Sequence, residues 1–147
     1  MTNNSIDQSG KIEQTNKNTV LCLANGTWDS VLLTAKVKRQ LQEMFRRKGQ
    51  PRKFVLLTFS AILGILLLKN SDKTRITIDR EYYGKEDIIS NTIDEMFTLN
   101  KLPKIKFGHV GKNSNAHKYA HKIAVGELKS KKLVSLGEIL KILSRVG

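Results

Sequence analysis

Acidic residues are scarce in this chain. Its 13 Asp and Glu stand against 26 Lys and Arg, a formal net charge of +13 at pH 7. Such a surplus attracts polyanions. Nucleic acid is the partner it predicts first, with an anionic membrane or an acidic protein as alternatives. Cysteine is nearly absent too. Cys22 is alone, so no intrachain disulfide can form, which excludes a disulfide-stapled scaffold and points to a reducing, cytoplasmic setting. Inside the apolar run VLCLA it reads as a buried thiol rather than a nucleophile. No uncharged apolar run reaches the roughly 20 residues of a spanning helix. The longest, FVLLTFSAILGILLL from Phe54 to Leu68, reads as a buried core element, with membrane insertion as the weaker alternative. Aromatics make up only 6%. Stacking on single-stranded bases is therefore not the expected binding mode, although Trp28, Tyr82 and Tyr83 are the side chains that would do it.

What is present fits one globular domain. The chain has 147 residues, of which 39% are hydrophobic and 27% charged. Residues 1–18 are polar, have no signal-peptide apolar core, and predict a disordered tail. Residues 19–147 predict a single α/β domain. TVLCLA reads as a strand ending at the Asn25-Gly26 turn. In the following stretch Leu33, Val37, Leu41, Met44 and Phe45 recur at helical spacing, which favours a helix over a β-hairpin. The apolar block after Pro51 predicts a buried helix. TRITID predicts a strand, and Ile89, Ile93, Met96 and Phe97 form one helical face. KIKFGHV predicts another strand. A helix capped by Asn113 or Ser114 follows, then a short strand KKLV and a helix opened by a Ser135–Glu138 capping box. Strands alternating with helices imply a small mixed sheet flanked by helices.

Three groups of residues carry candidate chemistry. Asp79 lies at the carboxyl end of its predicted strand, the edge where α/β sheets build sites. At about 100° per residue, Glu86 falls on the same helix side as Ile93. Asp79 and Glu86 are therefore the expected ligands of one Mg²⁺ or Mn²⁺, with Glu81 between them as an auxiliary ligand or base. Ordinary acids at a strand end and in a first helical turn are the alternative. The second group is FGHVGKNSNAHKYAHKIA. His117 and His121 share a helix face but need a third ligand to bind zinc, and His109 is the only other histidine. GKNSN at a helix start suits phosphate contact through Lys112, Asn115 and Lys118. The third group is basic. Lys36, Lys38, Arg39, Arg46, Arg47, Lys48, Arg52 and Lys53 surround the single acid Glu43. Lys101, Lys104, Lys106, Lys112, Lys118 and Lys122 form a second group without an acid. Both suit the tracking of a nucleic-acid backbone.

These residues resemble the ribonuclease H-like proteins. TIDREYY is similar to that family's T-D-S-x-Y strand, with Asp79 as the metal-binding aspartate and Tyr82 as the tyrosine. Gly108, His109, Gly111 and Asn115 match its G-H-x-G-x-x-x-N loop, and LANGT resembles its opening T-D-G-S strand. The resemblance runs over about residues 74–125. It implies a ribonuclease H-like fold and a basic nucleic-acid-binding domain with weak metal-dependent nuclease activity. His109 would shuttle a proton or contact phosphate. The family's two-metal chemistry uses about four carboxylates. Here the opening aspartate would be Asn25, the final one Tyr119, and the apolar helix before TRITID has no acid. A working site would then be rebuilt from Asp79, Glu81, Glu86 and Asp29. A non-catalytic nucleic-acid or protein interaction module is the alternative.

Overall fold

The computed structural model describes residues 4–146. Five strands form one mixed sheet: β1 (Ser5–Ser9), β2 (Thr19–Ala24), β3 (Trp28–Leu33), β4 (Arg75–Asp79) and β5 (Lys104–Gly108). Their order is β3-β2-β1-β4-β5. β1, β2 and β3 form an antiparallel meander, and β4 and β5 continue parallel to β1. The helices are α1 (Ala35–Arg47), α2 (Phe54–Lys69), α3 (Glu86–Met96), α4 (Asn115–Ala124) and α5 (Leu136–Leu143). A small mixed sheet flanked by helices is thus the architecture.

Side-chain alternation divides the sheet into two faces. Ile6, Leu21, Leu23, Val31, Leu33, Ile76 and Ile78 point to one face and meet α2 and its neighbours in the main core. α2 is apolar all round, so it must be covered on every side. The sheet, α1, α3 and α5 cover it, and Thr58 to Leu67 are buried. The segment Pro51–Lys69 has the length and composition to cross a membrane, but here its apolar surface is spent on the protein's own core. Gly64 lets α3's end come close: a Cβ there would overlap the ring of Phe97. On the other face, Val20 and Cys22 pack against Ala120 and Ile123 of α4. α4 lies over β1 and β2 and leaves the β4–β5 half of that face uncovered.

Three expectations fail. The expected tail, whose residues 1–3 lie outside the described residues, is otherwise no tail: Ser5–Ser9 is the central strand, with Ile6 1% and Asp7 4% exposed. A strand flanked by two partners satisfies its backbone in the ladders, so it needs little apolar content of its own. The loop after it is pinned as well. Ile12 is fully buried, and the ammonium of Lys38 donates to the carbonyls of Lys11 and Gln14. Second, Trp28–Leu33 is a strand paired with β2, so Leu33 belongs to the sheet, while the helix expected over the residues that follow starts at Ala35, where the Thr34 hydroxyl caps Val37 N–H at 3.2 Å. Third, KKLV contributes a single bridge, Leu32 to Leu133. The Ser135–Glu138 capping box is present, and Ser114 rather than Asn113 caps α4.

Candidate metal centre

Asp7 stands on the α4 face of β1, opposite in direction to its neighbours Ile6 and Gln8. The parallel pairing of β1 with β4 runs through Ser5–Thr77 and Ile6–Ile78. One step further, Asp7 in the middle of β1 lies beside Asp79, the last residue of β4. Glu81 follows Asp79 by two residues and turns to the same side. One ligand oxygen from each of Asp7, Asp79 and Glu81 lies within 4.8 Å of the others. The three carboxylates can hold a metal ion.

Three acids this close cannot all ionise freely. Burial raises the Glu81 carboxyl first, and its hydrogen bond and charge contact with Asp79 add to this, so it sits at about 7. Asp7 is also raised, by burial and then by the charge of Asp79. Two hydrogen bonds oppose that rise. His117 Nδ1 lies 2.6 Å from Asp7 Oδ2, and the Gln8 N–H donates to Oδ1 at 2.9 Å. With Asp7 ionised, Nδ1–H donates and the ring's acceptor is Nε2. Asp79 Oδ1 accepts from Val110 N–H at 2.9 Å, which ties β4 to the loop after β5. The Tyr82 hydroxyl accepts from Ile12 N–H and donates to Glu13, so it holds the loop after β1 beside the site. Burial pushes that phenol up to about 12.

The expected partner of Asp79 is not Glu86. Arg80 Nε binds the Glu86 carboxylate at 3.1 Å, at the start of α3 and away from the cluster. The helical side it shares with Ile93 ends at the first turn, where a neighbouring guanidinium is closer than the sheet. Asp29 is engaged elsewhere too, with Lys69 at 2.8 Å and Asn70 at 2.9 Å. His109 is exposed, one residue past Gly108, the register partner of Asp79. Asn25 lies in the turn just after β2. The aspartate that the sheet brings beside Asp79 is Asp7, inside Ser5-Ile6-Asp7-Gln8-Ser9. The signal was there, an aspartate between an apolar residue and small polar ones, but it lay in a segment too polar to read as a strand. The i, i+4 spacing pairs His117 with His121, but only His117 reaches the carboxylates; His121 is exposed and takes no part in the cluster.

The basic residues divide between the two sides of the sheet. Lys36, Arg39, Arg46 and Arg47 are exposed on α1, and Lys48, Arg52 and Lys53 on the connection to α2, all on the side away from the carboxylates. Arg46 and Arg47 both pair with Glu43. Lys38 cannot touch a polyanion. It is fully buried, with Nζ donating to Thr19 at 2.9 Å as well as to the two carbonyls, and burial lowers it to about 8. On the carboxylate side, Arg75, Lys104 and Lys106 are exposed. Pairing of Thr77 with Lys106 and Asp79 with Gly108 puts them on the uncovered half-face that leads to Asp79. Lys112 and Lys118 are exposed around the start of α4, as is Asn115.

No protein-family model, curated protein or solved structure matches this chain.

Proposed function

We propose that this chain is a ribonuclease H-like, divalent-metal-dependent nuclease that approaches nucleic acid over the uncovered half of its sheet. The observation that carries the reading is the convergence of Asp7, Asp79 and Glu81. An opening-strand aspartate beside the T-I-D aspartate is what the resemblance requires, and the β2–β3 hairpin stands where the family has one. An all-oxygen set of three carboxylates fits a hard cation, Mg²⁺ or Mn²⁺. Burial first, then the hydrogen bond and charge of Asp79, keep Glu81 near 7, and such an ion would offset both. When bound, it supplies Lewis-acid polarisation of a phosphoryl oxygen and an acidified water.

The protein's own groups have separable tasks. Asp7 and Asp79 hold the ion from rigid neighbouring strands, and Glu81 completes the set from the chain just beyond. His117 orients Asp7. Arg75, Lys104 and Lys106 attract the phosphate backbone toward the carboxylates, and Lys112 and the start of α4 contact phosphates beyond. An intracellular setting agrees with the buried, reduced Cys22.

One observation favours a second reading, a binding module without chemistry. Tyr119, where the family has its last aspartate, stacks on Trp28 at 5.2 Å and adds no carboxylate. α2 adds none either. The discriminating experiment incubates the protein with end-labelled RNA–DNA hybrid, duplex RNA and duplex DNA in Mg²⁺ and in Mn²⁺. The nuclease reading expects cleavage that Asp79→Asn abolishes while binding persists. Binding without cleavage in either metal supports the module.

A further inference from the structure

The basic group on α1 and the connection to α2 borders something a nucleic-acid backbone cannot use. Between the end of α1, the start of α2, α3 and α5 lies an open cavity of about 690 Å³. Its floor is apolar, built from Leu41, Phe45, Leu56, Leu57, Leu140 and Leu143. Lys48, Arg52 and Lys53 line its rim, and no acidic side chain does. All three cations are exposed. The start of α2 adds to the positive field, since it has no side-chain cap and no acid in its first turn. Ile88 of α3 extends the apolar lining outward and is 48% exposed.

We propose that this groove is a docking site for an acidic amphipathic helix of a partner protein. A helix seated in a groove presents apolar residues at i, i+3, i+4 and i+7 to the floor. Acids flanking that stripe meet the cations of the rim, and complementary charge sets partner choice and approach rate. Both features of the site are then used. A phosphate backbone would use only the rim and leave the apolar floor uncovered. The surface lies across the sheet from Asp7, Asp79 and Glu81, so docking here does not compete with chemistry there.

The test uses the full chain and three fluorescent 18-residue peptides, read by anisotropy. One is amphipathic with Leu on one face and Glu flanking it. The second has Lys in place of every Glu, and the third is the first with its order scrambled. The acidic amphipathic peptide is expected to bind at least about tenfold tighter than either control. The double variant Lys48→Glu/Arg52→Glu should lose about tenfold or more of that affinity while its circular dichroism and melting stay unchanged. Hydrogen exchange should slow on α1, α3 and α5 when the peptide is added. Equal binding of acidic and basic peptides would overturn the proposal, as would binding insensitive to the charge reversal. Duplex DNA whose affinity falls on the same reversal, with no peptide bound, would assign the rim to nucleic acid. Oleate that binds with the same dependence while the peptide does not would assign the cavity to a small amphiphile.

Discussion

His117 Nδ1 on α4 approaches Asp7 Oδ2 on β1 to 2.6 Å across a sequence separation of 110 residues. This contact joins the first strand to a late helix and aims a carboxylate that would otherwise be repelled by Asp79. A hydrogen-bonded partner of a metal ligand usually contributes 10–100-fold in affinity or activity. His117→Ala is therefore expected to weaken Mn²⁺ binding by about tenfold and to leave the fold intact. The metal-dependent pH profile should also move up, because the lost hydrogen bond no longer lowers Asp7. His117→Asn, which keeps a donor, should restore part of the affinity. Calorimetry with Mn²⁺ at several pH values checks both.

Glu81 makes the metal-free protein lose stability as pH rises toward neutral. Its folded pKa is about 7 against an ordinary 4.5. Between those values the folded state binds the extra proton. Stability from this group is therefore fully present below pH 4.5 and is lost as pH rises through about 7. Glu81→Gln cannot lose it, so relative to wild type the variant should gain stability from pH 5 to pH 8. Thermal melts in chelator across that range test the sign. Added metal should reverse it, because ligands bind as deprotonated carboxylates.

Lys38 behaves in the opposite sense. Its folded pKa of about 8 lies below the ordinary 10.5, so the unfolded state holds the proton longer. Its contribution to stability therefore rises between pH 8 and 10.5. Lys38→Ala should cost about 2–4 kcal/mol, since it strips Lys11, Gln14 and Thr19 of a shared donor and opens a void. Denaturant titration measures the loss. Protease sensitivity should appear first in residues 10–18, the loop that the ammonium holds.

Much of the fold was readable where pattern and burial agree. The apolar block, the helix Glu86–Met96 and the capped helix after Ser135 follow directly from periodicity and caps. Ser5–Ser9 was not readable, because a central strand between two partners can be polar and still be buried. One of the three carboxylates of the site, Asp7, was hidden with it. Lys38 misled for a related reason: a lysine is almost never buried unless paired, and its partners are backbone carbonyls that no side-chain pattern reveals. Glu86 was placed correctly on its helix, but Arg80 lies within reach and takes it.

The two basic groups should separate in a salt titration. Lys104→Ala/Lys106→Ala, on the carboxylate side, is expected to weaken duplex nucleic-acid binding and to lower the salt slope by about 2, roughly one per phosphate contact. Arg46→Ala/Arg47→Ala, across the sheet and already paired with Glu43, should change both much less. Equal effects from the two pairs would contradict the assignment of the nucleic-acid path to the uncovered half-face.

The central claim is that Asp7, Asp79 and Glu81 form one cation site, and direct Mn²⁺ binding tests it most simply. Mn²⁺ is titrated into chelator-treated protein and the free ion is followed by electron paramagnetic resonance. The account predicts a saturable site in the wild type, accompanied by a rise in melting temperature, because an ion bound only by the folded state stabilises it. Asp7→Asn and Asp79→Asn should each abolish that site, and Glu86→Gln should leave it unchanged. Absence of saturable binding in the wild type, or binding that survives both aspartate substitutions, would contradict the account.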